Sequence, residues 1–164
     1  MPASGKPIYR REVLPSDREQ VRNIVAATGF FSAIETDIAV ELVEETLTRG
    51  SVDSGYFFLF AEEDGEIIGY TCFGPILGTM TSYDLYWMAV HPRFHRRGTG
   101  RELLAQSESL IFRRGGRRIY IDTSSRSQYE ATRAFYRAQG YREEALLQDF
   151  YAPGDGKIIY TKAL

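Results

Sequence analysis

The stretch HPRFHRRGTGR, residues 91–101, decides the fold of this chain. The apolar segment LYWMAV, residues 85–90, runs directly into it, and the helical pattern ELLAQSESLIF, residues 102–112, follows it. A Gly-x-Gly turn between a strand and a helix exposes backbone N–H groups at the positive end of the helix, an arrangement that binds phosphate. Positive charge beside this turn comes from Arg93, Arg96, Arg97 and Arg101. The stretch therefore predicts a site for a phosphorylated ligand.

Two common phosphate-binding motifs do not fit this turn. A Walker A loop needs Gly-Lys-Ser/Thr, which does not follow here. The dinucleotide fingerprint has three glycines, of which only two are present here, and its strand usually opens the domain rather than lying mid-chain. The turn therefore belongs to another class of phosphate-binding site.

The composition is that of a single soluble domain spanning residues 1–164. Hydrophobic residues make up 43% of the chain and charged residues 26%, so the chain can bury a full core. The net charge of −2 gives no general argument for nucleic acid or membrane binding. No Lys or Arg occurs between Arg49 and Arg93, whereas eight arginines lie between Arg93 and Arg118. This asymmetry favours a cleft with an anionic ligand at one end, although clustering by chance is the alternative.

Metal chemistry and export are not expected. A single cysteine, Cys72, excludes an internal disulfide framework and a multi-cysteine metal site. The two histidines, His91 and His95, are too few and wrongly spaced for a metal site, so we expect no metal. The amino-terminal residues MPASGKP lack the apolar run of a signal peptide, and no stretch reaches the ~18 apolar residues of a membrane span. We therefore expect a cytoplasmic protein.

The hydrophobic and turn residues on either side of the central stretch predict strands and helices in the order β-α-α-β-β-β-α-β-α-β-β. Ser16 with Glu19 predicts a capping box at the first helix, and the second helix is expected from about Thr36. Asp64-Gly65 predicts a tight hairpin turn. The fold class is α+β, with a mixed, mostly antiparallel central sheet of about seven strands and about four flanking helices.

Two segments together resemble the Gcn5-related N-acetyltransferase (GNAT) family. The first is His95-Arg96-Arg97-Gly98-Thr99-Gly100, which follows a strand ending in Ala89-Val90-His91-Pro92. It is similar to the family's Q/R-x-x-G-x-G/A motif, with His95 where Gln or Arg is usual. The second, residues 134–141 (AFYRAQGY), is similar to the family's A-x-x-x-Y-x-x-x-G-F/Y segment. The resemblance is close over residues 82–141 and says little about the substrate.

The resemblance implies that the chain holds acetyl-CoA. Main-chain groups of Met88 and Val90 would bind the pantetheine arm as an added strand, and N–H groups of residues 96–101 would hold the pyrophosphate. Tyr136 would be the general acid that protonates the departing thiolate; the alternative is a core tyrosine. Tyr129 stands where many relatives have an Asn that contacts CoA. The implied cofactor-binding residues are Met88, Ala89, Val90, His95, Arg96, Arg97, Gly98, Thr99, Gly100, Arg101 and Tyr129.

The acceptor side carries candidate carboxylates. An amine must lose a proton to attack a thioester, and Asp84 stands where some relatives keep a catalytic Glu, so we expect Asp84 to be a base and an acceptor contact. A strand-end carboxylate in solvent is the alternative, because many amines can lose the proton to water. Glu35, with Phe31 beside it, precedes the second helix and would bind a cationic, partly apolar amine. Acidic residues also favour helix starts for dipole reasons alone.

The resulting expectation is an N-acetyltransferase that moves the acetyl group of acetyl-CoA to a primary amine by direct attack. The alternatives are an acyl-CoA-binding regulatory module without turnover, a transferase for a different acyl-CoA, and a nucleotide- or nucleic-acid-binding protein that uses the arginine cluster. The near-neutral charge argues against nucleic acid as a partner, and no membrane partner is expected. The aromatic segment DFYAPGDG, residues 149–156, is expected to close over the acceptor or to join subunits in a homodimer.

Overall fold

A computed structural model describes residues 5–164 of the chain. The expectation that the amino terminus lacks a signal peptide rests partly on residues 1–4, which lie outside the described residues. Contacts divide the chain into two compact units. The first contains the chain up to Gly74 together with Trp87–Ser109, and the second contains Pro75–Tyr86 and Leu110–Leu164. No helix within the described part of the chain is long and apolar enough to cross a membrane.

The first unit builds an antiparallel ladder against two helices. Its strands are β1 (Ile8–Arg10), β2 (Phe57–Glu63) and β3 (Glu66–Pro75), which extends by one residue into the second unit, and its first helices are α1 (Asp17–Thr28) and α2 (Ala33–Ser54). β1 pairs with β2, and β2 with β3, both antiparallel. The core packs helix residues such as Val21, Val25 and Val43 against strand residues such as Phe58 and Phe60.

Strand β4 (Ser82–Val90) and helix α3 (Thr99–Arg113) run through both units. The carboxyl-terminal end of β4 and most of α3 lie in the first unit, joined there by a short 3-10 helix, Pro92–Phe94. Gly69 on β3 lies so close to β4 that an added Cβ would stand 3.0 Å from the carbonyl oxygen of Ala89. A glycine at this position therefore permits the close packing of β3 on the end of β4.

The second unit continues the sheet from the amino-terminal end of β4. Strand β5 (Arg118–Ser124) pairs with β4 in parallel, β7 (Asp155–Ala163) pairs with β5 antiparallel, and β6 (Arg142–Ala152) pairs with β7 antiparallel. Helix α4 (Glu130–Ala138) follows a 3-10 turn, Ser127–Tyr129. The strand order is β1-β2-β3-β4-β5-β7-β6. The predicted α+β class, with seven strands in a mixed, mostly antiparallel sheet and four helices, is confirmed.

Local signals at the helix starts were only partly right. The predicted capping box at Ser16 is wrong, because Ser16 already has helical backbone angles and its side chain makes no capping bond. The buried carboxylate of Asp17 organises this helix start instead: it accepts from the Leu14 backbone N–H at 2.7 Å and from the Arg10 guanidinium at 2.9 Å. Helix α2 begins at Ala33, three residues before the predicted start, because the capping box forms at Ser32.

Candidate active site

The loop after β4 leads directly into the start of helix α3. Gly98 has a φ of +80° and Arg96 a φ of +60°, so the chain turns sharply before α3 begins at Thr99. The N–H of Glu102 donates to the carbonyl of Gly98 at 3.0 Å, an i to i−4 bond of the helix. The N–H groups of the first helical turn have no carbonyl partner within their helix and carry its partial positive charge. This geometry can hold an anion such as a pyrophosphate.

The side chains around this loop hold its shape. Nε2 of His95 lies 2.8 Å from the carbonyl oxygen of Val90 and so ties the loop to the end of β4. The guanidinium of Arg97 pairs with Glu63 at 2.7 Å and lies over the Phe94 ring at 5.2 Å. Arg97 is therefore already neutralised by a carboxylate, and the anion-binding capacity of the loop comes chiefly from backbone groups. No sequence motif indicated these two contacts.

Three of the predicted cofactor contacts, two of them for the pantetheine arm, lie at the carboxyl-terminal end of β4. Ala89 is buried, whereas Met88 and Val90 are partly buried. The Val90 carbonyl already accepts from His95 if that ring nitrogen is protonated, and a carbonyl oxygen has a second lone pair for a further donor. The role of these residues in cofactor binding stays a prediction.

The predicted acceptor residues of the first unit lie at the junction of α1 and α2. The Phe31 ring meets the Trp87 ring edge-on, with centroids 4.7 Å apart. Glu35 occupies a capping box: its carboxylate accepts from the Ser32 N–H at 2.7 Å, and the Ser32 hydroxyl accepts from the Glu35 N–H at 3.2 Å. Capping accounts for this carboxylate, so its role in binding an amine stays a prediction.

In the second unit, Asp84 lies among other charged groups. It is partly buried on β4, opposite Tyr120 on the parallel strand β5. Burial and the nearby Asp122 carboxylate raise the pKa of Asp84 to about 6, against the opposing effect of the Lys157 ammonium. Such a carboxylate is largely ionised at pH 7, yet binds a proton more readily than an ordinary aspartate. It has the properties of a general base.

Tyr136, on helix α4, lies against the face of the sheet opposite to the face that carries Asp84. Tyr120 shares the face of Asp84, and the next residue, Ile121, therefore points to the opposite face. Ile121 pairs with Tyr160 on β7, whose ring lies 6.3 Å from the ring of Tyr136. Burial raises the pKa of Tyr136 well above its usual value, so its phenol is protonated at neutral pH. A candidate base and a candidate acid thus occupy opposite faces.

The carboxyl-terminal end of β5 supplies a further polar atom that the sequence did not reveal. The hydroxyl of Thr123 is buried and has no hydrogen-bond partner within residues 5–164. Thr123 is two residues from Ile121 and so shares the face of Tyr136. Buried hydroxyls without a partner are rare in proteins and are often satisfied by a ligand or by water. Thr123 is therefore a candidate ligand contact.

Two hydrogen bonds of Arg133 fix the connection from β5 to α4. Arg133 on α4 donates to the carbonyl oxygens of Ser124 at 2.7 Å and Arg126 at 2.9 Å. Tyr129, the predicted cofactor contact, ends the 3-10 turn before α4, with the Arg126 guanidinium 6.0 Å from its ring centroid. Arg133 thus orients the helix that carries Tyr136, a role that no sequence motif indicated.

The residues present fit the implied acetyl-CoA. The helix start at Thr99 offers backbone donors of the kind that a pyrophosphate requires. The unsatisfied hydroxyl of Thr123 offers a hydrogen bond, and the protonated phenol of Tyr136 offers a proton.

Comparisons with known proteins agree on one family. The model of the acetyltransferase (GNAT) family matches residues 20–141. An uncharacterized N-acetyltransferase, MJ1530 of Methanocaldococcus jannaschii, is 32% identical over 107 residues, which are 64% of this chain and 65% of that protein. The chain therefore spans just under two thirds of the length of this curated relative.

Solved structures show the same fold over nearly the whole chain. A crystal structure assigned to the GNAT acetyltransferases, from Desulfovibrio desulfuricans, superposes with a TM-score of 0.93 and 45% identity. The match covers 96% of this chain and 98% of that one. An aminoglycoside 6'-N-acetyltransferase complexed with coenzyme A has a TM-score of 0.75 at 19% identity, covering 95% and 96% of the two chains. This second likeness shows the fold alone.

Proposed function

The chain belongs to the GNAT acetyltransferase family, and from this premise we propose that it transfers an acetyl group from acetyl-CoA to a primary amine. One observation carries the proposal beyond the family. A partly buried carboxylate and a protonated buried phenol lie on opposite faces of the sheet in the second unit. Direct transfer can use both groups, because the amine must lose a proton, to a carboxylate or to water, and the thiolate must gain one.

The cosubstrate supplies an acetyl thioester when it is bound. Backbone N–H groups at the start of α3, from Thr99 onward, hold the pyrophosphate, and main-chain groups of Met88 and Val90 hold the pantetheine arm. Coenzyme A in the structure of the aminoglycoside acetyltransferase supports this choice of cosubstrate.

The two side chains then divide the proton transfers. Asp84 accepts a proton from the acceptor ammonium, and the neutral amine attacks the thioester carbonyl directly. Tyr136 donates its phenolic proton to the sulfur as the C–S bond breaks, and the amide nitrogen loses its second proton to water. After the products leave, water takes the proton from Asp84 and returns one to the phenolate of Tyr136. Phe31 and Glu35 contribute to the acceptor side.

The proposal is tested by following thiol release from acetyl-CoA against a panel of primary amines, together with mass spectrometry of each acceptor. We expect thiol release that depends on the amine, and an acceptor heavier by one acetyl group. Binding of CoA without turnover across the panel would favour a regulatory module. Faster turnover with a longer acyl-CoA would identify a different donor, and neither binding nor turnover would contradict the proposal.

A further inference from the structure

Three charged side chains form a row across three neighbouring strands of the second unit. Asp84 on β4 pairs in register with Tyr120 on β5, and Asp122 lies two residues further along β5, so both carboxylates share one face. Lys157 on β7 pairs in register with Ser124, which lies two residues beyond Asp122 and shares its face. The Lys157 ammonium is 2.7 Å from Asp122.

The lysine is held in place by an irregularity in β6. Between the pairs Leu147–Lys157 and Ala152–Asp155, β6 has four residues where β7 has one. This bulge brings the Phe150 ring to 4.5 Å from the Lys157 ammonium, a cation–π distance. The Lys157 side chain is only 19% exposed, so its charge is kept beside Asp122 rather than in solvent.

Other charged groups on this face have hydrogen-bond or ion-pair partners of their own. Arg118 donates to the Thr161 hydroxyl at 3.4 Å, and Arg142 pairs with Glu144 at 2.8 Å. Within the second unit, the remaining titratable or charged side chains that face the row from β4, β5 and β6 are Tyr86, Arg118, Tyr120 and Arg142. On β7, Asp155 also lies on this face; it accepts from the Ser124 hydroxyl and pairs with Arg126 at 3.4 Å. Among these groups, Asp122 and Lys157 are the charged pair that acts on Asp84, and they contact each other at 2.7 Å.

We propose that Asp122 and Lys157 are a positioning pair that sets the charge state of Asp84, and so controls whether Asp84 takes a proton from the acceptor. Neither residue needs to touch the substrate. Asp122 opposes ionisation of Asp84 by like-charge repulsion, and Lys157 limits this repulsion by pairing with Asp122. The inference rests on the proposed base role of Asp84, but the pairing itself can be measured without turnover.

The two members of the pair should have opposite effects on the pH profile. The acid limb of kcat/KM reports the free enzyme, and we expect it near pH 6 in the native chain. Asp122→Asn removes the repulsion and leaves the cation, so the limb should move to lower pH by about half a unit or more. Lys157→Met leaves an unpaired carboxylate, so the limb should move to higher pH by a similar amount.

The double variant and a control variant distinguish an electrostatic effect on Asp84 from a disturbance of the local structure. In Asp122→Asn/Lys157→Met both charges are gone, so the limb should lie between those of the single variants. Arg142→Gln removes a charge from the same face that is already paired with Glu144, and should leave the limb in place. Shifts of the same sign in both single variants, or no shift in either, would overturn the proposal.

A titration distinguishes failure of this inference from failure of the proposed function. The carboxyl carbon of Asp84 is followed by NMR against pH in ¹³C-aspartate-labelled protein and is assigned by its loss in Asp84→Asn. Opposite displacement of its titration in the two single variants would support the positioning pair even if no amine were acetylated. An Asp84 titration that is unchanged in both variants would overturn the pair whatever the activity of the enzyme.

Discussion

At the residue scale, burial makes one ionisable side chain a candidate proton acceptor and another a candidate proton donor. Asp84 and Tyr136 both have raised pKa values because burial disfavours their charged forms. For Asp84 the pKa of about 6 leaves a carboxylate that is ionised at pH 7 and ready to accept a proton. For Tyr136 the same effect keeps the phenol protonated. Pairs of groups separated in this way are typical of acid–base sites.

Replacement of Tyr136 by Phe tests the acid. The substitution keeps the buried ring and its contacts with Tyr141 and Tyr160 but removes the proton donor. We expect kcat to fall by about 10²-fold, the lower range for a general acid, while the dissociation constant for acetyl-CoA stays near its native value. Stopped-time thiol release and calorimetric titration measure the two quantities.

Tyr160→Phe is the matched control for this experiment. The Tyr160 hydroxyl accepts from Arg137 at 3.3 Å, and its ring is a neighbour of Tyr136. This variant loses a buried tyrosine hydroxyl without loss of the proposed acid, so kcat should stay within a fewfold of native. A native kcat in Tyr136→Phe, or equal losses in both variants, would contradict the assignment.

At the element scale, local sequence patterns predicted the structure correctly where the backbone conformation of a few residues determines it. Asp64 and Gly65 were predicted to turn a hairpin, and they have φ values of +54° and +82° in a two-residue connection. Ser16 and Ser32 both begin a Ser-x-x-Glu pattern, yet only Ser32 forms the capping box. The difference lies in the ion pair between Asp17 and Arg10, seven residues away, which no local pattern encodes.

The helix start that the sequence predicted as a phosphate site can be tested with a pair of glycines. Gly98 and Gly78 have φ values of +80° and +81°, and an added Cβ at either would meet nothing within 4 Å. Alanine at either position should therefore cost about 1–2 kcal/mol of unfolding free energy. Only Gly98→Ala should also weaken CoA binding, because Gly98 sets the turn before α3.

Denaturant unfolding and calorimetric titration of the two alanine variants measure these effects. Because both variants should lose the same unfolding free energy, Gly78→Ala shows how much CoA affinity is lost through lower stability alone. Native CoA affinity in Gly98→Ala, or equal weakening in both variants, would remove this loop from the cofactor site.

At the scale of the whole molecule, the sequence predicted the fold better than the site. Two motifs separated by one helix and one strand, together with the element order, were enough for the sheet and its helices. The contacts of Lys157 with Asp122 and Phe150 depend on the β6 bulge, which long-range strand pairing decides. Likewise, the sequence pattern indicates only that Thr123 is a strand residue and says nothing about the surroundings of its hydroxyl. Side chains that meet only in three dimensions escaped prediction for this reason.

Cofactor binding should stabilise the chain against unfolding, and ligands with and without the pyrophosphate should show whether the start of α3 holds that group. A ligand that binds only the native state at 100 times its dissociation constant adds about 2.7 kcal/mol to the unfolding free energy. For a chain of 164 residues this should raise Tm by about 5–10 °C. Pantetheine lacks the pyrophosphate that the start of α3 is proposed to hold, so at the same concentration it should raise Tm much less. Scanning calorimetry with each ligand measures the difference, and equal shifts for CoA and pantetheine would show that the helix start is not the anchor.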